Sequence, residues 1–213
     1  MLQTFIALLV SYLLGSIPTA YLFGKLFKGI DIRKAGSGNV GATNALRVLG
    51  VGPGITVLII DILKGLIVVS FLGDYFADKV GLWQVQNLRI IMGLCCICGH
   101  NWTVFLQFKG GKGIATSLGV LLGLALRVNG LNIIIGILLI TWFVVFFLFR
   151  IVSLASVIAA ILLPVSCIFF KQSNFMLTMA LILCVFVIIR HKANLARILS
   201  GKEPRLYFKQ PNQ

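Results

Sequence analysis

Charged side chains are scarce in this chain, and acidic ones are the scarcest. Only 11% of the 213 residues are charged, and five are Asp or Glu against 19 Lys or Arg. A soluble domain carries about 25% charged residues, so the deficit excludes an ordinary soluble fold. So few carboxylates also argue against enzymes that gather several aspartates around metal ions.

Histidine and cysteine are few as well, with two His and five Cys in the whole chain. Cys95 and Cys98 have the spacing of a metal or redox pair, but a second ligand cluster is missing. We interpret the cysteines as small buried hydrophobic residues in apolar helices. The sequence therefore predicts no metal site and no cofactor.

Hydrophobic residues are abundant, at 59% of the chain, and they occur in long runs. A helix needs about 20 apolar residues to cross the hydrocarbon core of a bilayer. We therefore predict an all-α polytopic integral membrane protein with a single domain, 1–213, and a short basic tail over about 191–213. The first run is expected to be a retained span rather than a signal peptide. Seven spans are predicted: 2–24, 54–73, 88–107, 114–128, 131–149, 151–170 and 174–190. A five-span alternative treats residues 114–150 differently.

The formal net charge of +14 has an uneven distribution along the chain. Most basic residues fall in loops on one side if the N-terminus is outside and the C-terminus is cytoplasmic. This topology puts every polar motif on the cytoplasmic face. No aromatic-basic surface motif accompanies the charge, so we predict a membrane and an anionic substrate as partners, and no nucleic acid.

A glycine-spaced polar run, GSGNVGATNALR at residues 36–47, interrupts the apolar sequence. Glycines let backbone N–H groups approach an oxyanion, and Ser, Thr and Asn add short hydrogen-bonding arms. The run also fits the dinucleotide-binding pattern, with Asp61 20 residues after Gly41. That fold needs a preceding strand, whereas this run follows a membrane helix, so we reject the dinucleotide interpretation and keep the prediction of phosphate binding.

Two further polar motifs lie on the same predicted face. The first is GHNWTVFLQFKGGKGIAT at residues 99–116, whose glycines allow a tight turn and whose lysines supply charge to an anion. It does not have the Walker A spacing. The second is HKANLARILSGKE at residues 191–203, which places His191, Asn194 and Arg197 on one side of a helix.

Asp61 and Lys64 are charges inside the second predicted span, at positions i and i+3. Charges in an apolar helix are unfavourable, so we expect the two side chains to pair with each other. The alternative is that Asp61 faces the active site and orients a polar partner there.

Together, the three motifs resemble those of the bacterial acyl-phosphate-dependent glycerol-3-phosphate acyltransferases, the PlsY family. The resemblance includes residues 150–156 and covers nearly the whole chain in order and spacing. Two residues depart from the family pattern: Thr103 stands where proline is expected, and Gln107 where a basic residue is common. They leave only the local shape and charge of the neighbouring loop in question.

The resemblance implies transfer of a fatty acyl group from acyl phosphate to the 1-hydroxyl of glycerol 3-phosphate. The products are lysophosphatidic acid and inorganic phosphate, and the location is the bacterial cytoplasmic membrane. Ser37, His191 and Asn194 are the expected catalytic residues. The expected substrate-binding residues are Gly38, Asn39, Gly41, Thr43, Asn44, Arg47, His100, Lys109, Gly110, Gly111, Lys112, Ser153, Arg197 and Glu203.

Several roles remain open at this level. Ser37 is either an orienting hydrogen-bond donor or a nucleophile that forms an acyl-enzyme. His191 either removes the hydroxyl proton as a general base or holds a phosphate that takes the proton itself. His100 is expected to support the site rather than react. A transporter of a phosphorylated solute is the alternative function, although it should show inverted repeats and polar residues at the bilayer midplane.

Overall fold

The computed structural model describes residues 1–77, 79 and 85–206, and regular structure within them is entirely helical. The last part of the predicted basic tail, 207–213, lies outside the described residues. The α-helices are α1 Leu2–Ser16, α2 Thr19–Lys28, α3 Ala42–Leu49, α4 Val51–Ile67, α5 Gly73–Ala77, α6 Val85–Asn101, α7 Ile114–Ala125, α8 Leu131–Phe149, α9 Val152–Phe169, α10 Asn174–Arg190 and α11 Lys192–Leu199. Short 3-10 helices span Ile32–Lys34 and Val104–Leu106, and a π-helix spans Val68–Leu72.

The all-α membrane architecture is confirmed, and each of the seven predicted apolar segments is helical. Within the described residues, five helical stretches are long and apolar enough to cross a membrane, or six if α10 and α11, bent by 60°, form one span. The predicted fourth span contains α7, which has only 12 residues. Seven spans are therefore not confirmed, because α7 is shorter than the ~20 residues that a crossing needs.

Two of the spans contain irregularities. Pro18 separates α1 from α2 within the stretch Leu2–Lys28, since proline lacks the N–H that a continuous helix would use. In the stretch Val51–Ala77, the π-helix lies between α4 and α5. Both features leave backbone carbonyls that need partners in a region without water.

The chain forms two compact units, Met1–Leu131 and Asn132–Gln213. In the first unit, α1 packs on α6, α4 packs on α7, and α3 packs on α4. Glycines permit the close approach: a Cβ atom at Gly15 would lie 2.0 Å from the Cys96 carbonyl oxygen, and one at Gly119 would lie 1.9 Å from that of Ile62. Small residues at such contacts are typical of packed membrane helices.

In the second unit, α9 packs on α10, and α11 contacts both of them. The Trp142 indole N–H of α8 donates to the Ser156 hydroxyl of α9 at 3.2 Å. The third polar motif lies on this packed group of helices and begins at the bend between α10 and α11.

Candidate active site

The first polar motif forms a loop, residues 36–41, between the 3-10 helix and α3. Gly36 and Gly38 have φ angles of +58° and +71°, a region that residues with a Cβ rarely occupy. Gly41 is the N-cap residue of α3, with Thr43 and Arg47 further along that helix. Sequence reasoning predicted a polar loop here, and the left-handed glycines explain why the motif requires them.

Asn44 determines the shape of this loop from the first turn of α3. Its Oδ1 accepts a hydrogen bond from the Ser37 N–H at 2.8 Å. Its Nδ2 donates to the carbonyls of Ile32, Ala35 and Asn39 at 3.2, 3.1 and 3.0 Å. The side chain is 1% exposed. The observed contacts of Asn44 are therefore made with the loop and with the residues just before it.

Ser37 lies at the exposed tip of the loop, and its hydroxyl accepts the Asn39 N–H at 3.5 Å. Among the described residues, no hydrogen bond joins Ser37 to a histidine or a carboxylate. At the entry to the loop, Asp31 and Arg33 form an ion pair of 2.7 Å. The hydrogen bond from Arg33 lowers the pKa of Asp31 to about 2, so this carboxylate stays ionised.

The second motif contains the glycine–lysine loop, residues 109–113, which folds back onto the end of α6. The Gly110 N–H donates to the Asn101 carbonyl at 3.2 Å, and the Gly111 N–H donates to the His100 carbonyl at 3.0 Å. Lys109 is exposed and Lys112 is partly buried. Sequence reasoning expected these amides to bind an anion, whereas here they hold the loop in place.

Gly111 is the point where the two loops of the first unit meet. A Cβ atom at Gly111 would lie 2.1 Å from His100 Nε2 and 2.9 Å from the Val40 carbonyl oxygen. Val40 belongs to the first loop, so Gly111 fits between that loop and the His100 ring. Any larger residue would separate the loops, because backbone atoms cannot move aside cheaply.

His100 also faces a buried charge network. Lys64 Nζ lies 2.9 Å from Asp61 Oδ1 and 2.8 Å from His100 Nδ1. The Thr19 hydroxyl donates to Asp61 Oδ1 at 3.1 Å, and Lys64 Nζ donates to the Ile17 carbonyl at 3.3 Å. The predicted Asp61–Lys64 pair is confirmed. Its contacts with Thr19 and His100 were not predicted, although two charges in an apolar helix gave a signal that partners were needed.

In the second unit, His191 lies at the bend between α10 and α11 and is 3% exposed. Its Nδ1 is 2.8 Å from the Val187 carbonyl oxygen. A carbonyl can only accept, so Nδ1 carries a proton, and in the neutral ring Nε2 carries the lone pair. His191 is therefore oriented as a base would be.

Glu203 contacts two other residues of the third motif, Asn194 and Arg197, and Ser153 of α9. Its carboxylate accepts hydrogen bonds from Ser153 Oγ and Arg197 Nε, both at 2.7 Å, and from Asn194 Nδ2. Burial raises the pKa of Glu203, but the hydrogen bonds from Asn194, Ser153 and Arg197 outweigh it and bring the pKa below its usual value. Asn194 and Arg197 do share one helix face, as the spacing predicted.

Comparison with known proteins identifies the family. The family model described as glycerol-3-phosphate acyltransferase matches residues 5–201. The chain belongs to the glycerol-3-phosphate acyltransferase family. A glycerol-3-phosphate acyltransferase of Fusobacterium nucleatum subsp. nucleatum is 44% identical over 204 residues, covering 96% of this chain and 98% of the relative. One of Macrococcus caseolyticus is 42% identical over 209 residues, covering 98% and 100%.

Solved structures agree with this assignment. PlsY, an integral membrane glycerol 3-phosphate acyltransferase, is similar in its glycerol 3-phosphate form with a TM-score of 0.84 and 35% identity, covering 96% of each chain. Its lysophosphatidic acid form gives a TM-score of 0.81 and 34% identity. The predicted resemblance and the predicted enzyme class are confirmed, and the protein is an integral membrane acyltransferase.

Within each unit, the acyltransferase brings together residues that are far apart in sequence. The first unit joins the loop of residues 36–41 to the glycine–lysine loop and to His100. The second unit joins Ser153 to Asn194, Arg197 and Glu203. Each group combines cationic side chains with rigid hydrogen-bonding partners, which suits an enzyme that handles phosphate esters.

Two residues that depart from the family pattern lie beside the glycine–lysine loop. Thr103 is buried, its hydroxyl donates to the Ser16 carbonyl at 2.5 Å, and it accepts the Phe105 N–H at 3.2 Å. Its φ of −67° is the value that proline would impose. Gln107 has a φ of +55° and lies on the turn that leads into the loop. The acyltransferase thus keeps, with Thr103, the backbone geometry that a proline there would favour.

Proposed function

We propose that the protein transfers a fatty acyl group from acyl phosphate to the 1-hydroxyl of glycerol 3-phosphate. The bond from the acyl carbon to the phosphate oxygen breaks, and a bond to the glycerol oxygen forms. The hydroxyl proton leaves, and the products are lysophosphatidic acid and inorganic phosphate. The reaction is assigned to the cytoplasmic face of the bacterial cytoplasmic membrane, and the positive-inside distribution of basic residues supports this orientation.

The contact of the two glycine loops at Gly111 is the observation that carries this proposal. Both substrates bear phosphates, and the two loops bring the cationic segments around Arg47, Lys109 and Lys112 into one unit. The amides of Gly38, Gly110 and Gly111 already donate to carbonyls of the protein. Phosphate binding is therefore assigned to side chains, with the glycines and Asn39, Gly41, Thr43 and Asn44 shaping the loop that presents them.

Acyl phosphate is already activated, so catalysis requires orientation, charge stabilisation and removal of one proton. His191 Nε2 is the basic nitrogen, because Nδ1 is bound to the Val187 carbonyl. It removes the hydroxyl proton, or holds a phosphate group that does so. Asn194 and Arg197, both held by Glu203, orient the substrates.

Ser37 is assigned an orienting role. A serine nucleophile requires a neighbouring base within hydrogen-bond reach, and Ser37 Oγ instead accepts the Asn39 N–H. An exposed hydroxyl at the tip of a rigid loop suits a hydrogen bond to a substrate phosphate or hydroxyl. Acyl transfer then proceeds directly between the two substrates, with no acyl-enzyme intermediate.

Purified protein in detergent tests the donor first, by comparing acyl phosphate with acyl-CoA, with no metal added. Activity with acyl phosphate alone is expected, and activity with acyl-CoA alone would overturn the donor assignment. The variants Ser37→Ala and His191→Ala should each lose most activity. Thermal melting would check that both variants are folded. Near-normal phosphate release in both would refute the site, and an acyl group trapped on Ser37 would refute direct transfer.

A further inference from the structure

The buried network of Thr19, Asp61, Lys64 and His100 joins three helices of the first unit, α2, α4 and α6. Asp61 is 2% exposed and Lys64 is 8% exposed. A buried ion pair contributes little to stability on average, because the desolvation of both ions offsets their attraction. Apolar residues in the same places would serve packing as well, so packing alone does not account for these charges.

The hydrogen bond between Lys64 and His100 sets the proton on the imidazole ring. An ammonium group has donors only, so at 2.8 Å from Lys64 Nζ, His100 Nδ1 must accept. A neutral ring that accepts at Nδ1 carries its proton on Nε2. Asp61 Oδ1 lies 3.6 Å from Nδ1, beyond hydrogen-bond range, and 2.9 Å from Lys64 Nζ. The carboxylate therefore acts on the ring through Lys64.

The other side of the ring faces the glycine–lysine loop. A Cβ at Gly111 would come within 2.1 Å of His100 Nε2, so the ring nitrogen touches the Gly111 backbone. The backbone of His100 also accepts the Gly111 N–H. A rotation of the ring would thus press on the loop, and through Gly111 on the Val40 carbonyl of the first loop.

We propose that Asp61 and Lys64 are positioning residues, which hold His100 as the neutral Nε2–H tautomer against Gly111 and so fix the two glycine loops relative to each other. The network contacts no substrate in this assignment, and its effect passes through His100. The inference rests on the proposed site at these loops, whereas its first test is independent of activity.

NMR of detergent-solubilised protein labelled with 15N-histidine reports which ring nitrogen carries a proton. The chain has two histidines, and His191→Gln assigns the signals by removing one set. The expected result is an unprotonated Nδ1 and a protonated Nε2 for His100, with Lys64→Met losing this preference. A proton on His100 Nδ1, or an unchanged tautomer in Lys64→Met, would overturn the proposal.

Kinetics test whether the positioning matters for the reaction. Lys64→Met and Asp61→Asn should each lower kcat/KM about tenfold or more, since small displacements of binding groups slow transfer strongly. The double variant Asp61→Leu with Lys64→Met removes both charges, so it should recover thermal stability while kcat/KM stays low. Full recovery of kcat/KM in this stable double variant would contradict a positioning role.

A second ion pair in the same unit, between a buried arginine and an exposed carboxylate, provides the control. Arg89, 5% exposed, binds Asp74 and donates to the carbonyls of Val69 and Ser70 in the π-helix at 2.9 and 3.4 Å. It lies 11 residues before His100 in α6, about 16 Å away along the helix axis. Asp74→Asn should lower the melting temperature and leave kcat/KM and the His100 tautomer unchanged.

These experiments distinguish a wrong acyl donor from a wrong positioning role for Asp61 and Lys64. An inactive wild type with acyl phosphate would reject the proposed donor and leave the tautomer result standing. Equal losses of kcat/KM in Asp74→Asn and Lys64→Met, at equal losses of stability, would reduce the network to a structural role and reject the positioning proposal.

Discussion

His100 and His191 lie in different units of the protein, and each is buried at the end of an apolar helix. Their Nδ1 atoms make opposite hydrogen bonds. His100 Nδ1 accepts from the Lys64 ammonium group, and His191 Nδ1 donates to the Val187 carbonyl, each at 2.8 Å. In their neutral forms, the first ring therefore has its N–H on Nε2, and the second has its lone pair on the same atom.

One neighbour on each ring is enough to produce this difference. A charged donor from another helix makes His100 a donor toward the loop that it touches. A carbonyl one turn earlier in the same helix holds the proton of His191 on Nδ1, so Nε2 is the basic nitrogen of the neutral ring. In the proposed mechanism, this difference gives His100 a positioning role and His191 a proton-accepting role.

The largest expected effect follows from removing the basic nitrogen. His191→Gln should lower kcat by about 10²–10⁴, the usual contribution of a positioned base, with little change in melting temperature. Steady-state kinetics with acyl phosphate would measure this. The neighbouring Lys192→Gln, at an exposed position, is the matched control and should keep near-normal kcat. If His191→Gln kept kcat within twofold, the contrast between the two histidines would have no catalytic meaning.

A smaller effect is expected from the carboxylate that organises the surroundings of His191. Glu203→Gln replaces an ionised acceptor of three hydrogen bonds by a neutral amide, and should lower the free energy of unfolding by about 1–3 kcal/mol. Thermal unfolding in detergent would measure the loss. Glu203 is the only Glu in the chain, so Lys202→Gln next to it is the control. Equal stability of Glu203→Gln and wild type would show that the three contacts are not formed in solution.

The same residue predicts a dependence on pH. The pKa of Glu203 is lower in the folded protein than in the unfolded chain, where it has its ordinary value of 4.5. Its carboxylate therefore stabilises the fold above that pH, and the contribution is lost as the pH falls through the folded-state pKa. The difference in melting temperature between wild type and Glu203→Gln should shrink from pH 7 to acid pH. A constant difference would contradict this.

The smallest effect concerns the segment that follows His100. Thr103→Val removes the hydroxyl that donates to the Ser16 carbonyl and should lower stability by about 1 kcal/mol. Thr103→Pro loses the same bond but gains rigidity in the unfolded chain, because the φ of −67° already suits proline. Its melting temperature should therefore exceed that of Thr103→Val. Neither change touches the Lys64 contact, so kcat should stay near that of the wild type.

Much of the fold could be predicted from the sequence, because a long apolar run in a charge-poor chain has few alternatives to a membrane helix. The runs over 131–149 and 174–190 coincide with α8 and α10. The number of spans could not be predicted from the sequence. Composition does not reveal that α7 ends after 12 residues or that the chain bends by 60° between α10 and α11. Those features depend on packing and on local backbone geometry.

The sequence predicted the motifs of the candidate site, but it did not predict most of the contacts between their residues. Spacing alone paired Asp61 with Lys64, since residues three apart share a helix face. The contact of Lys64 with His100 joins residues 36 positions apart and depends on how α4 and α6 are placed. The use of the loop amides was also hidden, because the sequence does not reveal that the N–H groups of Gly38, Gly110 and Gly111 donate to backbone carbonyls of the protein.

The order in which the network's members occur along the chain has a consequence for membrane insertion. Ile17, Thr19 and Asp61 all precede Lys64, and only His100 follows it. The ribosome therefore supplies the carboxylate, the hydroxyl and the carbonyl before the lysine, and the Asp61–Lys64 pair closes within one helix turn. The second span can enter the lipid with its opposite charges already neutralised, and the third span brings the imidazole to a partner that is already in place.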